Sequence, residues 1–289
     1  MKKVFYSFPL IAILISLFLI NSGCNKSDDT TVTPPTDDNF DKEVVSAKNF
    51  ATFTNIITSA NSYQWLFLNN IASSFCPNYY YDSVGVGAFT VNYPPFPGCV
   101  DKDSVKRSGT FNLAISVISS DSVYSTVSFN DYRVYKYAEN NDTNMVKVTG
   151  FLRFSSKKTS ASTYNFHAGG EVGFLTLERD SKTITINTLD GTVNYNSAST
   201  ASDDVYSIFG SANIVDGEFS AAYDLSVSQS SPFQILGNCR YPVSGVLKML
   251  KNGVTSECDF SPNGNACDDA IKFTRGSASK SLNLKGIDF

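Results

Sequence analysis

The chain has 289 residues, of which 42% are hydrophobic, 13% aromatic and 17% charged, and its formal net charge is −4. This composition excludes a disordered chain, because it supplies enough apolar side chains to build a core. Lysine and arginine occur singly or in pairs and in no longer run, so the chain lacks the dense basic surface that phosphate backbones need, and we expect no nucleic-acid partner.

The first 23 residues have the pattern of a secretory signal peptide. Lys2 and Lys3 give a positive start, and the 17 residues at positions 4–20 are almost all apolar. A membrane-spanning helix needs about 20 apolar residues with different flanks, so this run favours a cleaved signal over a transmembrane anchor.

The tripeptide Ser22-Gly23-Cys24, one residue after this run, resembles a lipobox, the site where signal peptidase II cuts and leaves a lipidated cysteine. Asn21 stands where a leucine-like residue is usual, which matches the looser lipoboxes of Bacteroidetes-type bacteria. The resemblance implies lipidation at Cys24 and attachment to a membrane through the acyl chains. The alternative is an ordinary signal peptide followed by an incidental cysteine.

Residues 24–39 comprise this cysteine and an acidic tether. Residues 25–39 contain one aliphatic side chain and no aromatic one, so they cannot pack and are predicted to be disordered. The segment Lys26-Ser27-Asp28-Asp29 resembles the acidic surface-export signal of Bacteroidetes lipoproteins. That resemblance implies an outer-membrane lipoprotein facing the cell exterior, whereas a merely solvated acidic linker is the alternative.

A single domain is predicted over residues 40–289, and it begins with a helix. Apolar side chains recur at helical spacing from Asp41, a fair N-cap, and no proline or glycine interrupts them up to about residue 75. The apolar cluster that starts at Trp65 either continues this helix or begins a second one. We therefore expect an amphipathic helix over about 41–75.

After Cys76 the pattern changes to alternation with a period of two, which is typical of strands. Asp-Gly and Asn-Gly pairs, which suit tight hairpins, separate several of these runs: Asp190-Gly191, Asp216-Gly217, Asn252-Gly253 and Asn263-Gly264. Short connections between about a dozen strands predict a mainly β fold, a long antiparallel meander. So long a meander must curl into a half-barrel, with the helix on its concave side, or fold into a two-layer sandwich with the helix at its edge.

Besides Cys24 the chain has five cysteines, and export favours disulfides among them. Cys76 and Cys99 bracket one predicted strand and are expected to pair. Cys239, Cys258 and Cys267 then compete for one further bond. A turn centred on residues 261–264 would place Cys258 opposite Cys267.

The segment Cys239-Arg240-Tyr241-Pro242-Val243-Ser244-Gly245, followed by Asp259-Phe260 and Asn265-Ala266-Cys267-Asp268-Asp269, resembles the C-terminal signature of a group of uncharacterised Bacteroidetes surface lipoproteins. With smaller matches elsewhere, the resemblance touches most of the chain from residue 41 to 285. It implies that Cys239 pairs with Cys267 and that Cys258 is unpaired or buried. It implies no particular chemistry.

Few residues indicate a reaction. His167 is the only histidine and lacks the sequence context of a nucleophile, so we interpret it as structural or exposed. The run 259–265 has oxygen-bearing side chains at the spacing of a calcium loop, but Ala270 stands where the loop needs glutamate, which favours a plain turn. We therefore predict no catalytic residue, metal or cofactor.

A cluster of aromatic residues indicates a possible contact with a ligand. The cluster contains Tyr79, Tyr80, Tyr81, Tyr93 and Phe96. Its members form either an exposed platform for a glycan or protein, or a cover over the sheet edge.

The sequence thus favours a surface lipoprotein that is not an enzyme and that binds a glycan or protein, or that has a structural role. A carrier for a lipid or other apolar ligand in the curled sheet is the first alternative. An extracellular glycan hydrolase, which needs two carboxylates in a cleft, is the second.

Overall fold

The structure is a computed structural model that describes residues 40–69, 80–85, 87–95, 97–101, 105–135, 145–169, 174–177, 182–195, 203–216, 221–239 and 241–284. All of these residues belong to one unit of the chain, Pro35–Phe289. Within them, no helix is long and apolar enough to cross a membrane.

One long helix opens the described part of the chain. Helix α1 (Asp41–Leu68) has 28 residues and is therefore about 42 Å long at 1.5 Å per residue. Its N-cap is Phe40, one residue before the predicted Asp41, and Phe40 stacks on Phe273 with ring centroids 5.6 Å apart. The first turn of the helix has no side-chain capping hydrogen bond. The helix start is therefore held by the buried contact between Phe40 and Phe273.

The helix ends earlier than the predicted limit of residue 75. Asn69 occupies the C-cap, and its side-chain amide donates to the carbonyl oxygen of Trp65 at 2.8 Å. Trp65 thus continues the first helix, as one of the two alternatives predicted. Residues 70–79 lie outside the described residues.

The rest of the described chain forms sixteen strands of one antiparallel sheet. In chain order they are β1 (Tyr80–Gly85), β2 (Ala88–Tyr93), β3 (Cys99–Val100), β4 (Lys106–Ser119), β5 (Ser122–Tyr135), β6 (Met145–Lys158), β7 (Thr163–Gly169), β8 (Phe174–Leu177), β9 (Lys182–Asn194), β10 (Val205–Asp216), β11 (Ala221–Val227), β12 (Phe233–Leu236), β13 (Val246–Lys251), β14 (Val254–Asp259), β15 (Ala270–Arg275) and β16 (Ala278–Asn283).

The strands pair in sequence order from β1 to β16, apart from three short ones. β3 pairs only with β4, β12 pairs with β10, and β8 lies beside β7 between β6 and β9. The meander is confirmed, and it curls into a partial ring, which is the half-barrel alternative.

Helix α1 lies against the inner face of this ring. Successive helix residues point about 100° apart, so three in a row cover about 200° of the circumference. Tyr63 contacts rings on β2 and β4, Gln64 hydrogen-bonds serines on β5 and β6, and Trp65 stacks on Tyr195 just after β9. At residues 63–65, the sheet therefore surrounds more than half of the circumference of the helix.

The amino-terminal half of the helix meets the later strands. Phe50 packs on Phe233 of β12 with ring centroids 5.5 Å apart. The Glu43 carboxylate accepts a hydrogen bond from Arg275 of β15 at 2.8 Å, and this ion pair is about nine-tenths buried. Together the two halves of the helix thus contact strands from β2 to β15.

Contacts on so many sides bury polar as well as apolar helix residues. Lys48, Asn49, Asn61 and Gln64 are all at most 3% exposed. Such groups need partners, and Asn61 finds one in the carbonyl oxygen of Ile57 at 3.1 Å. The helix packs on the sheet as predicted, but its buried surface extends well beyond a single apolar face.

Candidate functional site

A cleft of about 280 Å³ opens at the carboxyl-terminal end of helix α1, and we call it the helix-end cleft. The helix lines it with Leu68 and Asn69, and the β4–β5 hairpin lines it with residues 117 and 119–123. Ser156, Lys158 and Tyr164, from β6 and β7, complete the described lining.

Buried polar contacts fix the position of one wall of this cleft. Ser156 lies on the inner face of β6 and accepts a hydrogen bond from the Gln64 side-chain nitrogen at 3.1 Å. The Gln64 side-chain oxygen accepts from the Ser125 hydroxyl on β5. One helix residue therefore ties two strands together beside the cleft.

The hairpin turn brings a charge to the cleft. The Asp121 carboxylate accepts hydrogen bonds from the hydroxyls of Ser119 and Ser122. The bond from Ser119 is the main reason why the pKa of Asp121 lies below its usual value, and the positive charge of Lys157 acts in the same direction. Asp121 is thus a carboxylate at neutral pH. The Lys158 backbone N–H donates to the Asp121 carbonyl at 2.7 Å, which holds the hairpin against the end of β6.

Tyr164 supplies the aromatic surface of the cleft. Its ring is partly exposed, and the Lys158 ammonium lies 6.0 Å from its centroid. Its other neighbour is Tyr195, which it meets edge-on at 5.4 Å between centroids, and Tyr195 stacks on Trp65 at 4.6 Å. A chain of three rings therefore connects the cleft to the buried helix.

A second polar group, the Asp101 cluster, lies inside the ring. One Asp101 carboxylate oxygen accepts from Arg107 at 3.1 Å, Tyr93 at 2.9 Å and Tyr63 at 3.3 Å, and Arg107 also donates to the hydroxyl oxygen of Tyr132 at 3.0 Å. Burial, and secondarily the Asp101 charge, raise the pKa of Tyr93 well above its usual value. The Asp101–Arg107 pair is almost completely enclosed, so the cluster acts as a structural link.

A cavity of about 10 Å³ adjoins this cluster. It is lined by polar helix residues such as Asn55 and Ser59 and by Tyr206 of β10. That volume is close to the minimum for a single water molecule, so the cavity is too small for an organic ligand.

The structure resolves the competition among the C-terminal cysteines. Cys239 is bonded to Cys267, and Cys258 is free and buried. The pairing implied by the resemblance is thus confirmed, and the turn-based alternative, Cys258 with Cys267, is wrong. Cys258 lies on β14 opposite Phe273, facing the core, while Cys267 lies in the exposed loop before β15.

The other predicted bridge is only partly visible. Cys99 is disulfide-bonded. Its predicted partner, Cys76, lies outside the described residues, as does the lipidation site Cys24.

The predicted aromatic cluster is described only in part. Tyr93 faces inward, is 4% exposed and belongs to the Asp101 cluster, so it is not available to a ligand at the surface. Tyr80 and Tyr81 lie in β1, and Tyr79 and Phe96 are outside the described residues.

His167 lies on the outer face of the sheet, away from the cleft. Its Nδ1 atom is 2.6 Å from the Asp190 carboxylate, and its side chain is 52% exposed. Ser155 is its register partner on β6. The segment 259–265 is a turn in which the Asp259 carboxylate accepts hydrogen bonds from Ser261, and the described residues contain no cluster of three or more His, Cys, Asp or Glu side chains that could hold a metal ion.

The cleft residues were missed by sequence reasoning. The polar turn Ser119-Ser120-Asp121 between two alternating runs is a local signal for a hairpin, but it does not indicate a cleft. Nothing in the sequence indicates that this turn meets the end of a helix 50 residues earlier, because the contact depends on the curl of the whole sheet.

No family model matches the chain, and neither does any curated protein or solved structure. The interpretation of the cleft therefore depends on its own geometry.

Proposed function

We propose that this chain is an exported, lipid-anchored protein of the outer membrane that binds a ligand outside the cell and does not transform it. The N-terminal signal and Cys24 support anchoring. The Cys239–Cys267 bond supports export, since structural disulfides persist in oxidising compartments.

The position of the helix-end cleft carries the proposal. The tether enters the fold at Phe40, the N-cap of helix α1, and the cleft is lined by Leu68 and Asn69 at the other end. The helix separates these two points by about 42 Å. An anchored protein built in this way carries its cleft far from the point where the membrane tether is attached.

The carrier alternative has less support. A carrier needs an apolar cavity on the concave side of the sheet, but there the side chains of Tyr63, Gln64 and Trp65 fill the space against the strands. The hydrolase alternative needs a second carboxylate about 5–10 Å from the first. Asp121 is the one carboxylate in the described lining of the cleft.

The lipid anchor is tested by metabolic labelling with an alkyne fatty acid. We expect the wild-type chain to be labelled and to fractionate with the outer membrane, and the Cys24→Ser variant to be unlabelled and released. Equal labelling of both would overturn the anchor.

Exposure of the cleft is tested by Ser120→Cys, a substitution in the exposed hairpin turn. A membrane-impermeant maleimide added to intact cells should label this variant. The wild type is the matched control, because its free thiol at Cys258 is buried. Labelling that requires permeabilised cells would show that the cleft faces the periplasm and would overturn the outward orientation.

A further inference from the structure

The lining of the helix-end cleft combines an aromatic ring, charged groups of both signs and uncharged polar groups. It offers the partly exposed ring of Tyr164, the carboxylate of Asp121 and the ammonium of Lys158. Four serine hydroxyls and the side chain of Asn69 lie among them. The lining therefore provides hydrogen-bond donors and acceptors around one aromatic surface.

These groups exclude several classes of ligand. A lipid tail would remove water from the Asp121 carboxylate and the Lys158 ammonium without offering either of them a hydrogen bond in return, which is costly. Asp121 and Lys158 carry opposite charges, so a strongly anionic or a strongly cationic ligand is attracted by one of them and repelled by the other, and the lining favours neither net charge. A neutral ligand with many hydroxyl groups avoids both penalties.

We infer that the helix-end cleft binds one or two sugar rings of a neutral glycan, which deepens, and rests on, the proposed binding function. A pyranose ring has an apolar C–H face that packs on an aromatic ring, and hydroxyls that both donate and accept. Its C–H face lies on Tyr164, Asp121 accepts from hydroxyls, and Lys158 donates to them. The volume of about 280 Å³ is at the small end of ligand sites, so the bound segment is short.

The chain carries an internal reporter of this binding. Trp65 is the only tryptophan, and it is 8% exposed. It stacks on Tyr195, which in turn contacts Tyr164. A sugar that immobilises the Tyr164 ring should alter the packing of Tyr195 and, through it, the surroundings of Trp65. The fluorescence of Trp65 should therefore shift until the cleft is saturated with sugar.

The test is a titration of the full chain in detergent with cellobiose, maltose, chitobiose and mannobiose, followed by Trp65 fluorescence and by calorimetry. We expect at least one of these sugars to bind. Tyr164→Ala should raise its Kd by about tenfold or more, equivalent to at least 1.4 kcal/mol. Tyr164→Phe, which keeps the ring, should bind within about threefold of the wild type, less than half of that energy.

Two further variants separate binding from folding. Asp121→Ala removes an acceptor from an exposed turn and should also weaken binding by about tenfold. Tyr124→Ala is the matched control, because Tyr124 is 38% exposed on β5 but outside the cleft lining, and its Kd should be unchanged. Thermal unfolding of each variant shows whether the fold is intact.

Different results refute different claims. If none of the four sugars binds to the wild type, or if Tyr124→Ala weakens binding as much as Tyr164→Ala, the glycan inference is overturned. Surface labelling of Ser120→Cys would in that case still support the outward orientation that the proposed function requires. Sugar binding by a protein that faces the periplasm would support the ligand class and overturn the outward orientation.

Discussion

The buried ion pair between Asp101 and Arg107 allows a quantitative test of how the ring is held together. Both side chains are at most 2% exposed, and Arg107 Nη1 lies 3.1 Å from the Asp101 carboxylate. We consider Asp101→Asn, which removes the charge but keeps an oxygen that can accept from Tyr63 and Tyr93. Arg107 then keeps a buried positive charge without its carboxylate.

Removing one partner of a buried pair typically costs about 3–5 kcal/mol, because the remaining charge is left uncompensated. A domain is stable by about 5–15 kcal/mol, so Asp101→Asn should remove a large fraction of the free energy of unfolding. The double variant Asp101→Asn/Arg107→Met removes both charges. The loss of unfolding free energy in the double variant should be smaller than the sum of the losses in the two single variants, by at least about 2 kcal/mol.

The assay is urea unfolding followed by the fluorescence of Trp65, which is buried in the folded state. Arg133→Met is the matched control, because Arg133 and Asp131 are also 3.1 Å apart but their side chains are 41% and 66% exposed. That exposed pair should contribute at most about 1 kcal/mol. The reasoning is refuted if Asp101→Asn costs no more than Arg133→Met, or if the effects of the double variant are additive.

Three further predictions concern stability. Replacing Cys239 and Cys267 by alanine should lower the free energy of unfolding by about 3.5 kcal/mol, since the bond closes a loop with a sequence separation of 28. Burial raises the pKa of both Tyr93 and Tyr195, so above about pH 10 these tyrosines lose their protons in the unfolded chain but keep them in the folded one. The free energy of unfolding should therefore fall as the pH rises, by up to about 2.7 kcal/mol per pH unit for the two groups together. Asn49→Leu should stabilise the fold by about 1–3 kcal/mol, because the side-chain oxygen and nitrogen of this fully buried amide have no hydrogen-bond partner among the described residues.

Each of these outcomes can be contradicted by urea unfolding. For the disulfide, a reduced wild type as stable as the oxidised one would contradict the loop-entropy argument. For the tyrosines, a constant unfolding free energy from pH 9 to pH 11 would show that they ionise equally in both states. For Asn49, a loss of stability in Asn49→Leu would indicate that ordered water satisfies the amide.

The strands could be predicted because their signal is local. Alternation on β4, β5 and β6 follows the inner and outer faces of the sheet, and the Asn252-Gly253 turn lies between β13 and β14 as the hairpin pattern predicts. The turn predicted at Asp190-Gly191 is wrong, because both residues lie inside β9. Asn252 indeed adopts a positive φ of 50°. The start of the helix was predicted within one residue, although the N-cap is Phe40, which packs on the distant Phe273, and the predicted cap at Asp41 is not used.

The interior could not be predicted, because its contacts join residues far apart in sequence. Gly109 illustrates the limit: its φ is 80°, and a side chain there would collide with the carbonyl of Asp131 on the neighbouring strand. The pairing of β4 with β5 is irregular at this point. The sequence contains both residues but gives no sign that they touch, and the same holds for Arg107 and Tyr132 beside them.

Two of the residues that carry the sequence resemblance, Cys239 and Cys267, have a structural role, because their disulfide closes the C-terminal loop.

The polar character of helix α1 has a consistent explanation in this fold. Apolar side chains in place of Gln64 and Asn69 would also fill the space inside the ring. They could not make the hydrogen bonds from Gln64 to Ser125 and Ser156, or the bond by which Asn69 caps the last turn beside the cleft. Buried hydrogen bonds hold the helix in a defined orientation relative to the strands, whereas apolar contacts tolerate small rotations of the helix. The helix therefore sets both the distance and the orientation of the cleft relative to Phe40.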